Sequence, residues 1–247
     1  MNYINLSKED NVRLKCGSAR FETASVSVQG KKGILKTKKE RRYIHMPSDR
    51  AEIFDPAAEE TQDFYKIMIG SVVPRPIAWV SSKSSKGILN LAPFSFFTVA
   101  SRQPPTLAVS IGPGVQERKG TVKDTLGNIR AQGEYVINIV PYALGKQMQT
   151  SSKHYAPEVD EFSEAGLTPH PSKTIDIPMV REAPISFECT LDQVIPVGTD
   201  HLVLGRIQRA HVEAEAYLGN YKTDMDNWKP LARLAGDYAA LTPRFHL

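Results

Sequence analysis

Two long apolar-rich segments, 185–197 and 201–212, are separated only by Gly198-Thr199-Asp200. A glycine-bearing link this short joins strands as an antiparallel hairpin, because a parallel crossover needs about a dozen residues or more. A two-stranded ribbon is marginal alone, so these strands must belong to a larger sheet. The upstream pattern supplies the rest of it. Ile77-Ala78-Trp79-Val80 reads as a buried strand, Ser84-Ser85-Lys86-Gly87 as a turn, and Ile88 onward as the hairpin partner. Pro104-Pro105 breaks the chain before a further strand over 106–111. Residues 134–140 form another, with Tyr135, Ile137 and Ile139 facing inward. Helices are few. Asp55-Pro56, followed by Glu59 and Glu60, opens one whose apolar face is Phe64, Ile67 and Met68 and which ends at Gly70. A second covers 121–132 and stops at Gly133, and 142–152 reads as a third. Many short-spaced strands with few helices predict a mainly β, α+β fold: an antiparallel barrel with flanking helices, not a doubly wound sheet.

Charge divides the chain. Residues 1–45 hold eleven Lys and Arg against four Asp and Glu, a net of +7, and the remaining 202 residues carry 20 basic and 23 acidic groups, a net of −3. The basic run from Lys31 to Arg42 reads as a solvated tail, a nucleic-acid arm being the lesser alternative. Met46 opens the well-patterned part. The expected division is a basic extension, 1–45, and one folded domain, 46–247. With 41% hydrophobic and 23% charged residues, wholesale disorder is excluded. No run approaches the ~18 to 20 apolar residues of a membrane span, and no secretory leader is read at the start. Cys16 and Cys189 are too few for a disulfide framework or a Cys-rich zinc site. The expected compartment is the cytoplasm.

Several chemistries lack their motif. The chain has no G-x-G-x-x-G after a strand, no G-x-x-x-x-G-K-[ST] and no G-x-S-x-G. Its six histidines, His45, His154, His170, His201, His211 and His246, include no i, i+4 pair, so no metal site is expected. Three segments point the other way. In Arg118-Lys119-Gly120-Thr121-Val122-Lys123-Asp124-Thr125, cations and hydroxyls lie at a helix start, where free backbone N–H groups and the positive helix end would hold a phosphate. On that segment alone, a plain cap by Asp124 or Thr121 is the stronger reading. In Asn90-Leu91-Ala92-Pro93-Phe94-Ser95-Phe96-Phe97, Pro93 leaves ladder positions unpaired and open to a ligand, while the phenylalanines read as core. In Pro74-Arg75-Pro76, two prolines stiffen an arginine that could reach a phosphate or pair with an acid.

These segments occur in one order: Val72-Val73-Pro74-Arg75-Pro76-Ile77-Ala78-Trp79-Val80-Ser81, the Asn90–Phe97 run, Pro104-Pro105, then Lys123-Asp124-Thr125 with Asn128. Phe162-Ser163-Glu164-Ala165-Gly166-Leu167-Thr168 and Pro171-Ser172-Lys173-Thr174 continue the series. In this the chain resembles the flavin reductase-like, flavoredoxin-like proteins of the DIM6/NTAB type, over roughly residues 50–240. Arg233-Leu234-Ala235-Gly236-Asp237-Tyr238 departs from that family's usual pattern. The resemblance implies an FMN-binding split barrel, antiparallel and Greek-key-like, with FMN held noncovalently at a homodimer interface. It places Asn90, Ala92 and Ser95 along the flavin and ribityl chain, and Ser82, Ser110, Lys123 and Thr125 on ribityl or phosphate, with Arg75 and Arg118 as helpers. His154 and Tyr155 would approach the flavin from the partner subunit. The implied activity is NAD(P)H-dependent flavin reduction, with electrons passed to an acceptor or partner oxygenase. The alternative is a non-catalytic FMN-binding electron carrier or flavin chaperone. No side chain is named as catalytic, because the cofactor carries the chemistry.

Overall fold

The structure, a computed structural model, describes residues 52–115 and 118–241. The basic extension 1–45, with Cys16 and His45, lies outside the described residues, as does His246. The compact unit is Asp55–Leu247. In chain order its elements are α1 (Thr61–Ser71), β1 (Ala78–Lys83), β2 (Leu89–Phe94), β3 (Phe97–Arg102), β4 (Pro105–Ile111), α2 (Asp124–Gln132), β5 (Glu134–Ile139), α3 (Gly145–Ser151), α4 (Glu161–Ala165), β6 (Pro169–His170), β7 (Met179–Val180), β8 (Ile185–Val197), β9 (Asp200–Val212), β10 (Tyr217–Gly219), β11 (Lys222–Thr223), α5 (Met225–Trp228), β12 (Leu231–Arg233) and β13 (Tyr238–Ala240).

Seven strands form one antiparallel sheet in the order β2-β1-β5-β8-β9-β4-β3. The β8–β9 hairpin is its longest ladder, from Ile185↔Val212 to Val197↔Asp200, and Gly198 turns it with a positive φ of 57°. The sheet is not closed. Its two edges, β2 and β3, are consecutive in sequence and separated only by Ser95 and Phe96, and each is laddered on one side alone. The Ser110 N–H donates to Phe96 O across this corner at 2.8 Å.

Alternation sorts the side chains of β1. Ala78 and Val80 join Tyr135, Ile137, Val109, Ile111 and Val203 in the core within the curled sheet, which Leu126 and Ile129 of α2 close at one end. Ile77 and Trp79 point to the opposite face, where Leu91, Met148 of α3 and Phe162 of α4 cover them. The Trp79 indole N–H donates to Ser151 Oγ at 2.8 Å, fixing α3 to the strand. Beneath it, Asn138 uses both ends of its amide. Nδ2 donates to Trp79 O at 3.0 Å and Ser81 Oγ at 3.2 Å, while Oδ1 accepts from Val180 N and Ser186 Oγ. A buried amide with its partners in place specifies one arrangement of the strands around it.

Glu188 binds a loop to the sheet in the same way. Its fully buried carboxylate accepts from the backbone N–H of Lys173 and of Thr174, each at 2.7 Å, from the Thr174 hydroxyl, and from His211 Nε2 at 2.6 Å. Burial alone would push this carboxyl up; the hydrogen bonds outweigh it and hold it down at about 2.

The first helix differs from expectation. Asp55 opens a separate turn, accepting from Ala57 N at 2.9 Å, and the helix proper starts six residues later. None of its residues is buried, so Ile67 and Met68 present their apolar face to solvent in the single chain. No helix among the described residues is long and apolar enough to cross a membrane.

Candidate functional site

One cleft gathers three elements. β2 contributes Asn90, Ala92 and Pro93; the approach to α2 contributes Gly114, Val115, Arg118, Lys123, Asp124 and Thr125; the α3–α4 connection contributes Ser151 to Tyr155 and Glu161. Pro93 is tolerated because β2 is an edge strand, where a missing N–H costs no second ladder.

The α2 end of the cleft brings two cations and an uncapped helix start together. The N-cap is Lys123, in extended geometry and with no side-chain cap, so neither Asp124 nor Thr121 takes the capping role. The first carbonyl bonds run from Leu126 N and Gly127 N to Lys123 O; among the described residues, the preceding N–H groups, of Asp124 and Thr125, have no such partner. Two cations stand beside them. Arg118 clasps Asp124 with both guanidinium nitrogens, Nη2 lying 2.7 Å from Oδ1. Lys123 Nζ sits 5.7 Å from the Phe94 ring centre. Burial, and after it the Arg118 charge, pull the Lys123 ammonium below its usual range, with Asp200 opposing. A bound anion would relieve both. The loop that brings Arg118 here is tight: Gly114 N donates to Thr121 O at 2.8 Å, and a Cβ on Gly114 would lie 2.4 Å from Arg118 O.

The β2 end is a hydrogen-bond chain. Asn90 Oδ1 accepts from Thr125 Oγ1 at 2.7 Å and from Ser82 Oγ at 3.2 Å, and Ser82 in turn accepts from Asn128 Nδ2 at 3.2 Å. Asn90 Nδ2 donates to Glu161 Oε1 at 2.9 Å, and Leu91 N donates to Glu161 Oε2 at 3.1 Å. The second Nδ2 hydrogen of Asn90 has no acceptor among the described residues, in a side chain that lines the cleft. Burial pushes the Glu161 carboxyl up to about 7, Asp124 adds to the rise, and the bonds from Leu91 and Asn90 oppose it.

Of the nine residues singled out from sequence, Asn90, Ala92, Arg118, Lys123 and Thr125 line this cleft together, and His154 and Tyr155 join them from the loop after α3. Ser82 is fully buried behind Asn90 and positions it. Ser95 sits half-buried in the β2–β3 corner, away from the cleft lining. Ser110, on β4, donates weakly to Asp200 Oδ2 at 3.4 Å. Arg75 is employed elsewhere. Its guanidinium donates to Ile69 O, Val72 O and Leu234 O at 2.6–2.7 Å, closing the C-terminal end of α1 onto the β12–β13 hairpin. Those carbonyls are the acceptors of its terminal nitrogens, while its buried Nε has no partner among the described residues. Glu161 was not singled out from sequence, and nothing local distinguishes it from the exposed Glu164 one turn later.

Comparison with known proteins places this architecture. Residues 69–229 match the family model described as the flavin reductase like domain. An uncharacterized protein of Aquifex aeolicus is 40% identical over 174 residues, covering 70% of this chain and 87% of that one. The crystal structure of nitrilotriacetate monooxygenase component B from Bacillus cereus superposes with a TM-score of 0.77 at 34% identity, over 81% of this chain and all of that one. Pseudomonas fluorescens 2-nitrobenzoate 2-nitroreductase superposes with a TM-score of 0.72 at 29% identity, over 79% of this chain and 95% of that one. By sequence match and by fold, the chain belongs to the flavin reductase-like family of split-barrel proteins.

Proposed function

We infer that this protein is an FMN-dependent oxidoreductase that draws reducing equivalents from NAD(P)H and passes them to an acceptor or a partner oxygenase. The observation that carries the reading is the uncapped start of α2, where two free N–H groups, Lys123 and Arg118 converge at one end of the cleft. A terminal phosphate is the anion such a group of donors suits. Asn90, with its unspent Nδ2 hydrogen, and the Ala92-Pro93 backbone then face the rest of an elongated ligand. Bound FMN would supply the electron chemistry that no cleft side chain offers. The chain's own part is to hold the phosphate, orient the ring through β2, and restrict water with the 151–155 segment.

A homodimer is part of this reading. Tyr65, Met68, Val72, Val73 and Phe96 expose large apolar surface, and the Tyr65 and Phe96 rings lie 6.4 Å apart, so the exposed face of α1 meets the β2–β3 corner. Apolar patches of this kind mark interfaces. The oxygenase partner is suggested by the component B neighbour alone.

The test is direct. Purified protein is expected to be yellow, or to quench FMN fluorescence on titration, and to oxidise NADH or NADPH. Colourless protein that ignores added FMN refutes the reading. Bound flavin that neither nucleotide reduces replaces it with the electron-carrier alternative.

A further inference from the structure

Glu161 is the buried ionisable group of the cleft that the reading above leaves without a task. It opens the five-residue α4, whose cap is Asp160, accepting from Phe162 N at 2.8 Å. Its two carboxylate oxygens are divided: one takes the Asn90 amide, the other the Leu91 backbone N–H. As placed, both groups donate, and a carboxylate accepts from both. A carboxylic acid brings a proton of its own, and the network is then satisfied only if the Asn90 amide turns over, Oδ1 accepting the new O–H and Nδ2 swinging to the Thr125 and Ser82 hydroxyls.

Resting on the flavin reading, we propose that Glu161 is a positioning residue whose ionised form locks Asn90 and β2 in the flavin-binding arrangement and whose protonation releases them. The lock is transmitted along bonds already described. With Nδ2 held by Glu161, Asn90 Oδ1 must face Thr125 and Ser82, which ties the strand to the first turn of α2 beside the anion end.

The charges around Glu161 favour titration near neutrality. From α2 it faces Asp124, whose charge is shared with Arg118 in their ion pair, and Lys123 stands in the same cleft. From the loop before α4 come Lys153, His154 and Tyr155. The elements packed on α4 bring nothing ionisable to the cleft: β2 supplies Asn90, Ala92 and Pro93, and α3 supplies Ser151. Burial therefore dominates, and the carboxyl titrates at about 7 rather than in the usual carboxylate range. By linkage, a lock made only by the ionised form sets proton uptake against flavin binding. The phosphate charge at the α2 end acts in the other direction, since a nearby anion favours the protonated acid, so an affinity that rises on acidification overturns the proposal.

Two measurements on the full chain test this. In the first, the FMN dissociation constant is measured by fluorescence quenching from pH 5.5 to 8.5 for the wild type and for Glu161→Gln. Glutamine keeps one acceptor and turns an N–H toward the second donor, so it imitates the protonated acid. The wild type should lose about tenfold in affinity below a midpoint near 7, the scale of one hydrogen bond to a charged group. The FMN phosphate, whose second proton titrates at about 6, adds the same slope to both proteins, and Glu161→Gln should lack the midpoint near 7 and resemble the wild type at low pH. Identical pH profiles for the two proteins overturn the proposal while leaving the flavin reading intact. The second measurement needs no flavin and no variant. The Asn90 side-chain amide resonances of the wild type should shift with pH and share the same midpoint. If they do not move, the lock is absent. If they titrate but FMN binds at no pH, the flavin reading fails and takes this proposal with it.

Discussion

Glu161 and Asn90 stand 71 residues apart in sequence and are joined by one hydrogen bond of 2.9 Å. Keeping that carboxyl out of water has a cost that appears as its raised pKa of about 7. In the unfolded chain the group titrates near 4.5, so between about pH 4.5 and 7 the native state retains a proton that the unfolded state has lost. Stability contributed by this group is complete below that window and falls as pH rises through it, by roughly 3 kcal/mol at most. Urea midpoints at pH 5, 6, 7 and 8 should decline for the wild type and decline less for Glu161→Gln. Parallel slopes would show that Glu161 does not titrate there.

Glu188 has the opposite sign. Held at about 2 by hydrogen bonds from Thr174, Lys173 and His211 against the cost of burial, it binds fewer protons in the native state than in the unfolded one. Its contribution is therefore present above pH 4.5 and is lost as pH falls from there toward 2. Glu188→Gln should unfold at least 2 kcal/mol more easily at pH 7, because two backbone N–H groups lose a charged acceptor. The deficit relative to the wild type should shrink as the pH approaches 2. A constant deficit in acid denaturation would contradict the assignment.

Lys123→Ala should retain the fold and bind FMN ten- to a hundredfold more weakly, the scale of one charge-assisted contact. Half-buried against Phe94, the side chain covers little core, so the thermal midpoint should move by no more than a degree or two. Unchanged FMN affinity would return Lys123 to an ordinary surface role.

Arg75→Ala separates the two roles considered for this arginine. With three carbonyl acceptors on Ile69, Val72 and Leu234, its loss should cost about 2–3 kcal/mol in urea unfolding and leave FMN affinity within about twofold. A large affinity loss with unchanged stability would restore it to the cofactor.

Tyr135 carries a buried hydroxyl with no partner among the described residues, pressed against the backbone of β9 where a Cβ on Gly205 would lie 1.9 Å from it. Burial drives its phenol pKa well up. Tyr135→Phe keeps the ring and removes the unsatisfied oxygen, so it should stabilise the protein by about 1 kcal/mol. A lower denaturation midpoint would mean that the hydroxyl has a partner after all.

What could be read from the sequence was local. Gly198 turns the long hairpin and Gly133 stops α2, both at positive φ, and both positions were legible because left-handed backbone selects glycine. The Lys123–Thr125 start of α2 was legible because it is contiguous. β3 was not: its residues are mostly exposed, and an edge strand with one wet face carries little alternation. The tasks of Arg75 and Glu161 were not legible either, since Asn90 lies 71 residues from Glu161 and Leu234, which ties Arg75 to the β12–β13 hairpin, lies 159 residues from it. Single-position chemistry cannot distinguish an arginine awaiting a phosphate from one whose terminal nitrogens already bond carbonyls.

The seam between β2 and β3 has a consequence for how this protein could change over generations. β2, which lines the cleft, has a neighbour on one side only. A substitution on its free side disturbs a single ladder and leaves the six remaining strands in register. Natural selection can therefore retune ligand preference at the half-buried Ala92 and Pro93 without renegotiating the scaffold, and duplicated copies of such a chain have an easy path toward divergent specificities.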